Sequence, residues 1–248
     1  MTVARDQGGN GRAPVRDVDA HQVPAGAAAA PGASQSAAPE VEFEVLGARA
    51  LRHAASPVMM LDLQVSEPSG REVYMIGLTI QLMIEPARRA YDDATRRRLE
   101  GLFGPPERWS VTTRSLVWAQ LDVVVPAFTG STTVSVPVAC TYDLEVAASK
   151  YLYSLTDGDA PVALHFSGIV YYPNGDGGLQ MVLVPWSRSI DFRMPVAVWR
   201  QTVEHYYPNT GWIALRSETL QRLERERVKR ALPTYDAAVK ELIADEDA

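Results

Sequence analysis

The sequence predicts a mainly β protein with α: an antiparallel β-sandwich of about seven strands, one helical insertion and a C-terminal helical segment. Three observations predict it. Apolar residues recur at every second position in runs between Glu42 and Met194. Turns rich in Pro, Gly, Asn and Asp separate these runs, as antiparallel connections require. The spacing turns helical over residues 87–103 and again after Pro195. The same elements also admit a single antiparallel sheet with helices packed on one face.

In chain order, residues 1–39 are rich in Ala, Gly, Pro and Ser and hold few large apolar side chains. Such a segment buries too little to offset its ordering entropy, so it is expected to be a disordered tail. Residues 40–194 are expected to form the sandwich, with the insertion at 87–103, and residues 195–248 a helical segment packed on it. Phe43 and Val45 alternate with Glu42 and Glu44. Met59, Leu61, Leu63 and Val65 share a face after Pro57, and Pro68–Gly70 makes a turn. Tyr74, Ile76, Leu78, Ile80, Leu82 and Ile84 form the clearest run.

Ala87, Ala90, Tyr91, Ala94, Leu99, Leu102 and Phe103 then recur at helical spacing until Gly104–Pro106 stops the helix. Strand spacing resumes with Leu121, Val123 and Val125, and continues with period two from Val134 to Val146. Pro137 within that run points to an edge or a bulge. Ala148, Tyr151, Leu152 and Leu155 fit a short helix. Val162 to Tyr172 and Leu179 to Trp186 are joined by a Gly-rich hairpin at 173–178, and Ile190 to Met194 is extended. Pro195 suits the start of a helix carrying Val196, Trp199, Val203 and Tyr206. Ser217 can cap the next one, and Pro233–Thr234 starts the last.

The chain has 248 residues and a net charge of −6, which argues against a nucleic-acid binder. One cysteine, Cys140, rules out an internal disulfide and fits a reducing compartment. No apolar run reaches the roughly 20 residues of a membrane helix. No leader-type apolar stretch follows Met1, and a cytoplasmic location is expected.

Catalytic patterns are incomplete. The four histidines, His21, His53, His165 and His205, are scattered, and no G-x-S-x-G elbow occurs. Zinc would need clustered Cys and His, and calcium a dense oxygen loop. Asn174–Gly177 resembles such a loop only in part and reads better as a turn. No phosphate-binding glycine loop is present. No catalytic, cofactor-binding or metal residue is therefore assigned, and no cofactor is expected.

Two features point to partner binding. Arg88, Arg89, Arg96, Arg97 and Arg98 on the insertion suit carboxylates or phosphates, although Asp92, Asp93 and Glu100 can neutralise them. Aromatic residues are dense in the second half, and of these Tyr171, Tyr172, Trp186 and Trp212 are candidate contacts.

Six stretches carry a resemblance: LFGPPERW at 102–109, PAFTG at 126–130, CTYD at 140–143, FSG at 166–168, PVAVW at 195–199 and ALPT at 231–234. Together they resemble an uncharacterised family of high-GC Gram-positive bacteria, over about residues 41–244. Genes of that family are associated with [NiFe]-hydrogenase structural and maturation genes. The resemblance implies an accessory or assembly role beside a hydrogenase component, and it carries no site residues. The expected function is thus a non-enzymatic accessory protein binding a protein partner. The alternatives are a small-ligand or carbohydrate-binding sandwich and a divergent hydrolase.

Overall fold

The computed structural model describes residues 38–140, 143 and 146–246. The expected tail therefore lies almost wholly outside the described residues, as do most of residues 141–145. Among the described residues, ten strands and six α-helices form, with every strand pair antiparallel.

One sheet has the order β1 (Glu42–Ala50), β2 (Val58–Ser66), β7 (Ser131–Ala139). The other runs β10 (Ser189–Pro195), β8 (Asp159–Pro173), β4 (Met75–Ile84), β5 (Leu116–Val125). β8 is 15 residues long. Its first half pairs with β10, and its second half pairs on that side with β9 (Leu179–Val184). The count exceeds seven partly because β3 (Glu72–Val73) and β6 (Phe128–Thr129) form a separate two-residue ladder. Two residues are too few to show a period in the sequence.

The sheets face each other across one core. Met59, Leu61, Leu63 and Val65 of β2 are buried against Ile76, Leu78, Ile80, Leu82 and Ile84 of β4 and Val162, Leu164 and Phe166 of β8. Phe43 of β1 stacks on Phe166 with ring centroids 4.1 Å apart and planes within 10°. Each such side chain contributes about 1.5–3 kcal/mol through burial. Strict alternation follows, since a one-residue slip would turn every one of them to solvent. Tyr74 departs from its expected face: it lies between β3 and β4 and is exposed.

Helices close the sandwich. The insertion is shorter than the spacing predicts. Pro86–Arg88 is a 3-10 turn, and α1 covers only Asp93–Phe103. Asp92 sets its start by accepting a hydrogen bond from Thr95 N at 2.6 Å. Arg88 and Arg89 thus precede the helix. After a short α2 (Trp109–Thr112) and β5–β7, α3 (Ala147–Ser154) packs against α1 and β5. Strand β7 ends at Ala139, not near Val146.

α4 (Val196–Tyr206) seats Val196, Trp199 and Val203 in the core. Its Tyr206 hydroxyl bonds Ala54 N and Ala54 O, each at 2.9 Å. Among the described residues of 195–248, the core cluster takes side chains from α4 and none from α5 or α6. α5 (Ser217–Lys229) buries no residue, and α6 (Tyr235–Glu246) packs on α5. Arg216, not Ser217, occupies the cap of α5 and makes no side-chain capping bond.

Candidate functional site

The five arginines do not form a free basic patch. Arg89 is only 14% exposed in its side chain. Its two terminal nitrogens donate to Asp159 O at 2.8 Å and Asp157 O at 2.9 Å. Arg98 donates to Ser154 O at 2.8 Å and Thr95 Oγ1 at 2.9 Å. Arg88 pairs with Asp191, and Arg96 with Asp93. Arg97 is exposed and makes no hydrogen bond or ion pair among the described residues. The guanidinium fork suits carbonyl pairs as well as anions, so two of these arginines act as staples between α1, its approach and the chain around α3.

Beside them lies an open cavity of about 590 Å³ whose lining includes Arg89, Tyr91, Arg96 and Trp109. Its aromatic wall is built edge to face: Tyr91 on Trp109 at 5.5 Å, and Phe103 on Trp109 at 5.7 Å. The Tyr91 hydroxyl bonds Pro86 O at 2.7 Å, and Trp109 Nε1 donates to Gly104 O at 2.8 Å. Burial pushes the Tyr91 phenol well above its ordinary range, and the bond with Tyr151 adds to this. The polar groups of the wall are thus spent inside the chain.

A sugar platform would need Trp118, Tyr171, Tyr172 and Trp186 in a row on one sheet face, and they do not share a face. Trp118 packs against the core, Tyr172 is buried on the inner face and Tyr171 is half-buried on the outer face. Trp186 is 88% exposed, in the turn between β9 and β10. Sequence reasoning missed the residues beside Tyr171. Leu179, Met181 and Leu183 point outward from β9 and are exposed, and a cavity of about 480 Å³ opens between Tyr171, Tyr172, Leu179, Gln180 and Met181. The stretch LQMVLV is apolar at both parities, which reads as a strand covered on both faces. Here only one face is covered.

The second exposed surface is a C-terminal arm over residues 208–246. Trp212, the remaining aromatic candidate, is 51% exposed. It bridges Asp143 and lies 4.8 Å from the Tyr207 ring. Ile213, Leu215, Leu220, Val228, Tyr235 and Ile243 follow it on the surface. Charge holds the α5–α6 hairpin together. Arg227 grips Glu224 with two bonds of 2.8 Å, lies 5.3 Å from the Tyr235 ring, and donates to Leu232 O. Arg227, then Tyr235, pull the Glu224 carboxyl down to about 2. Arg230 reaches Glu241 at 3.4 Å.

His165 sits on the outer face opposite Gln81 and Ser189, and the His205 ring lies edge to face with that of Tyr206. Neither side chain accepts or donates a hydrogen bond among the described residues. No group of three metal-ligating side chains is found among them, and no helix among them is long and apolar enough to cross a membrane.

Among the described residues, fold and surface together define a mostly β protein of two larger antiparallel sheets and a two-stranded ladder, not a closed barrel, with helices at its margin. The chain belongs to a family of unknown function, DUF6084, whose model matches residues 38–248. No curated protein matches it. Among solved structures it is similar to the putative ApaA protein from Bordetella pertussis, with a TM-score of 0.26 and 8% identity over 63% of this chain and 95% of that one. A protein from Archaeoglobus fulgidus gives a TM-score of 0.26 and 10% identity, over 62% and 98% of the two chains. A beta-glucosidase from Kluyveromyces marxianus gives 0.24 and 5%, over 63% of this chain and 15% of that one.

Proposed function

We propose that this chain is a non-enzymatic accessory or assembly protein that binds a protein partner through its C-terminal arm. The observation that carries the reading is α5: a 13-residue helix with no buried residue, in an arm that holds Trp212, Ile213, Leu215 and Leu220 in solvent. A two-helix hairpin of this length is marginal in water without a surface to cover its apolar side. Laying that side into a groove of another protein supplies the surface. Aromatic and aliphatic anchors in such arms dominate binding energy. The resemblance directs the first test toward a [NiFe]-hydrogenase structural or maturation protein.

The experiment compares the tagged full chain with a W212A/I213A/L215A variant, by co-purification from its native cells and by titration with the purified partner. These three side chains are largely exposed and Trp212 loses its contact with Tyr207, so the variant is expected to stay folded with a slightly lowered melting temperature. The expected result is a hydrogenase component held by the wild-type chain and lost by the variant. Equal recovery with both chains, or with neither, overturns the reading.

A further inference from the structure

We propose that the free edge of β9 pairs with β9 of a second copy of this chain, antiparallel about a two-fold axis, to make a homodimer. β9 takes backbone partners only from β8 among the described residues, so its other edge presents unpaired N–H and C=O groups. Proteins blunt such edges with charge, proline or bulges. The other edge strands here carry these guards. β1 has Glu42, Glu44, Arg49 and a bulge between Val45 and Gly47. β7 has Pro137, β5 has Asp122, and β10 has Asp191 and Arg193. Among the edge strands of the two larger sheets, β9 has neither charge nor proline: its sequence is LQMVLV.

Charge placement selects the occupant and the direction. A neutral strand can meet its own copy without repulsion, which matters in a chain of net charge −6. Asp176 stands before the strand and Arg188 after it. Antiparallel pairing centred on Val182 brings Asp176 of each copy toward Arg188 of the other, whereas parallel pairing sets like charges together. Arg188 already leans on Glu40 at 3.7 Å with its side chain 38% exposed, so it can take a second acid.

The same register keeps side chains on matching faces, as pleated strands demand. Met181 then opposes Leu183 of the second copy on the outer face, where they are 69% and 70% exposed in the single chain. Trp186 falls over Gly178 of the second copy, a residue with no side chain to obstruct it. The apolar row continues inward through Ile169, Gly77 and Val124, which lie in one register line with Leu183. The interface is isologous and closes on itself.

Analytical ultracentrifugation of the full chain, from below one micromolar to tens of micromolar, tests this. Wild type is expected to sediment as a dimer at the upper concentrations. M181K places two buried ammonium groups near the axis, and is expected to weaken association on the order of 100-fold while leaving the melting temperature of the monomer unchanged. M181C/L183C is expected to form an intermolecular disulfide under mild oxidation. A wild-type monomer at tens of micromolar, or a dimer indifferent to M181K, overturns the proposal. The W212A/I213A/L215A variant keeps the dimer, which separates failure here from failure of the arm.

Discussion

Tyr91 and Tyr151 meet hydroxyl to hydroxyl at 2.8 Å, with their rings edge to face at 6.4 Å. The bond ties the approach to α1 onto α3. Tyr91 has one proton, and Pro86 O at 2.7 Å takes it, so Tyr151 is the donor to Tyr91. Burial, the largest cause for each, raises both phenols above their ordinary range. Because these acids are held neutral in the folded chain, the stability they contribute is complete below about pH 10, where free tyrosine ionises. It falls as pH rises further, since the unfolded chain ionises first. Y151F is expected to cost about 1 kcal/mol in urea melts, and Y91F/Y151F less than the sum of the two single variants. Titration of phenolate absorbance should leave both tyrosines silent until the alkaline unfolding transition.

Arg89 gives a prediction about shape at constant charge. Its fork spans Asp157 O and Asp159 O, and a lysine ammonium can serve one carbonyl well but not both. R89K is expected to destabilise by about 1–2 kcal/mol, and R97K by nothing measurable. Thermal melts of the two variants decide this. An equal effect would mean that Arg89 is not a staple.

What was legible in the sequence follows from how each signal arises. Period two in β2 and β4 survives because every second residue is buried between two sheets, and Met59 to Val65 and Ile76 to Ile84 show it without interruption. Helical spacing begins before the helix itself does, which starts at Asp93. Ala87 and Ala90 fall at helical spacing by chance, whereas the capping bond of Asp92 fixes where the helix begins. The arginines could be seen but not their partners, because Asp157, Asp159 and Ser154 lie more than fifty residues away in the chain. The exposed row of β9 was hidden for a further reason. Alternation reports burial only when one face is polar, and Val182 and Val184 are as apolar as Met181 and Leu183.

Glu67 is one of the carboxylates that contribute on the acid side. It is 1% exposed and accepts from Ser69 Oγ at 2.5 Å and Arg71 N at 2.7 Å. Burial, the largest single influence, works to raise its pKa. Hydrogen bonds from the Ser69 side chain and from the backbone of Arg71, Glu40 and Ser69 together outweigh it and leave the carboxyl below its usual range. A lowered acid stabilises the fold above the unfolded pKa, near 4.3. That contribution is lost as pH falls through the lower folded value. E67Q is expected to lose about 1–2 kcal/mol at neutral pH and to show a shallower decline between pH 5 and 3, as read by chemical denaturation across about that range. A parallel decline in both proteins would remove Glu67 from the account.

Gly168 supplies the sharpest packing prediction. It lies in β8 at φ 155°, opposite Leu78 of β4 and Val184 of β9. A Cβ built there would stand 2.1 Å from Gly77 O and 3.1 Å from Leu78 Cα. Both obstacles are backbone of a central strand, so neither can move without breaking the β4–β8 ladder. G168A is expected to cost about 3 kcal/mol or more, among the larger effects of single substitutions. G77A, whose Cβ meets nothing within 4 Å, is the matched control at a neighbouring strand position and should cost well under half of that. If the two variants melt together, β4 and β8 can separate locally at this point, and hydrogen exchange at Leu78 and Ile169 would then be fast in the wild-type chain as well.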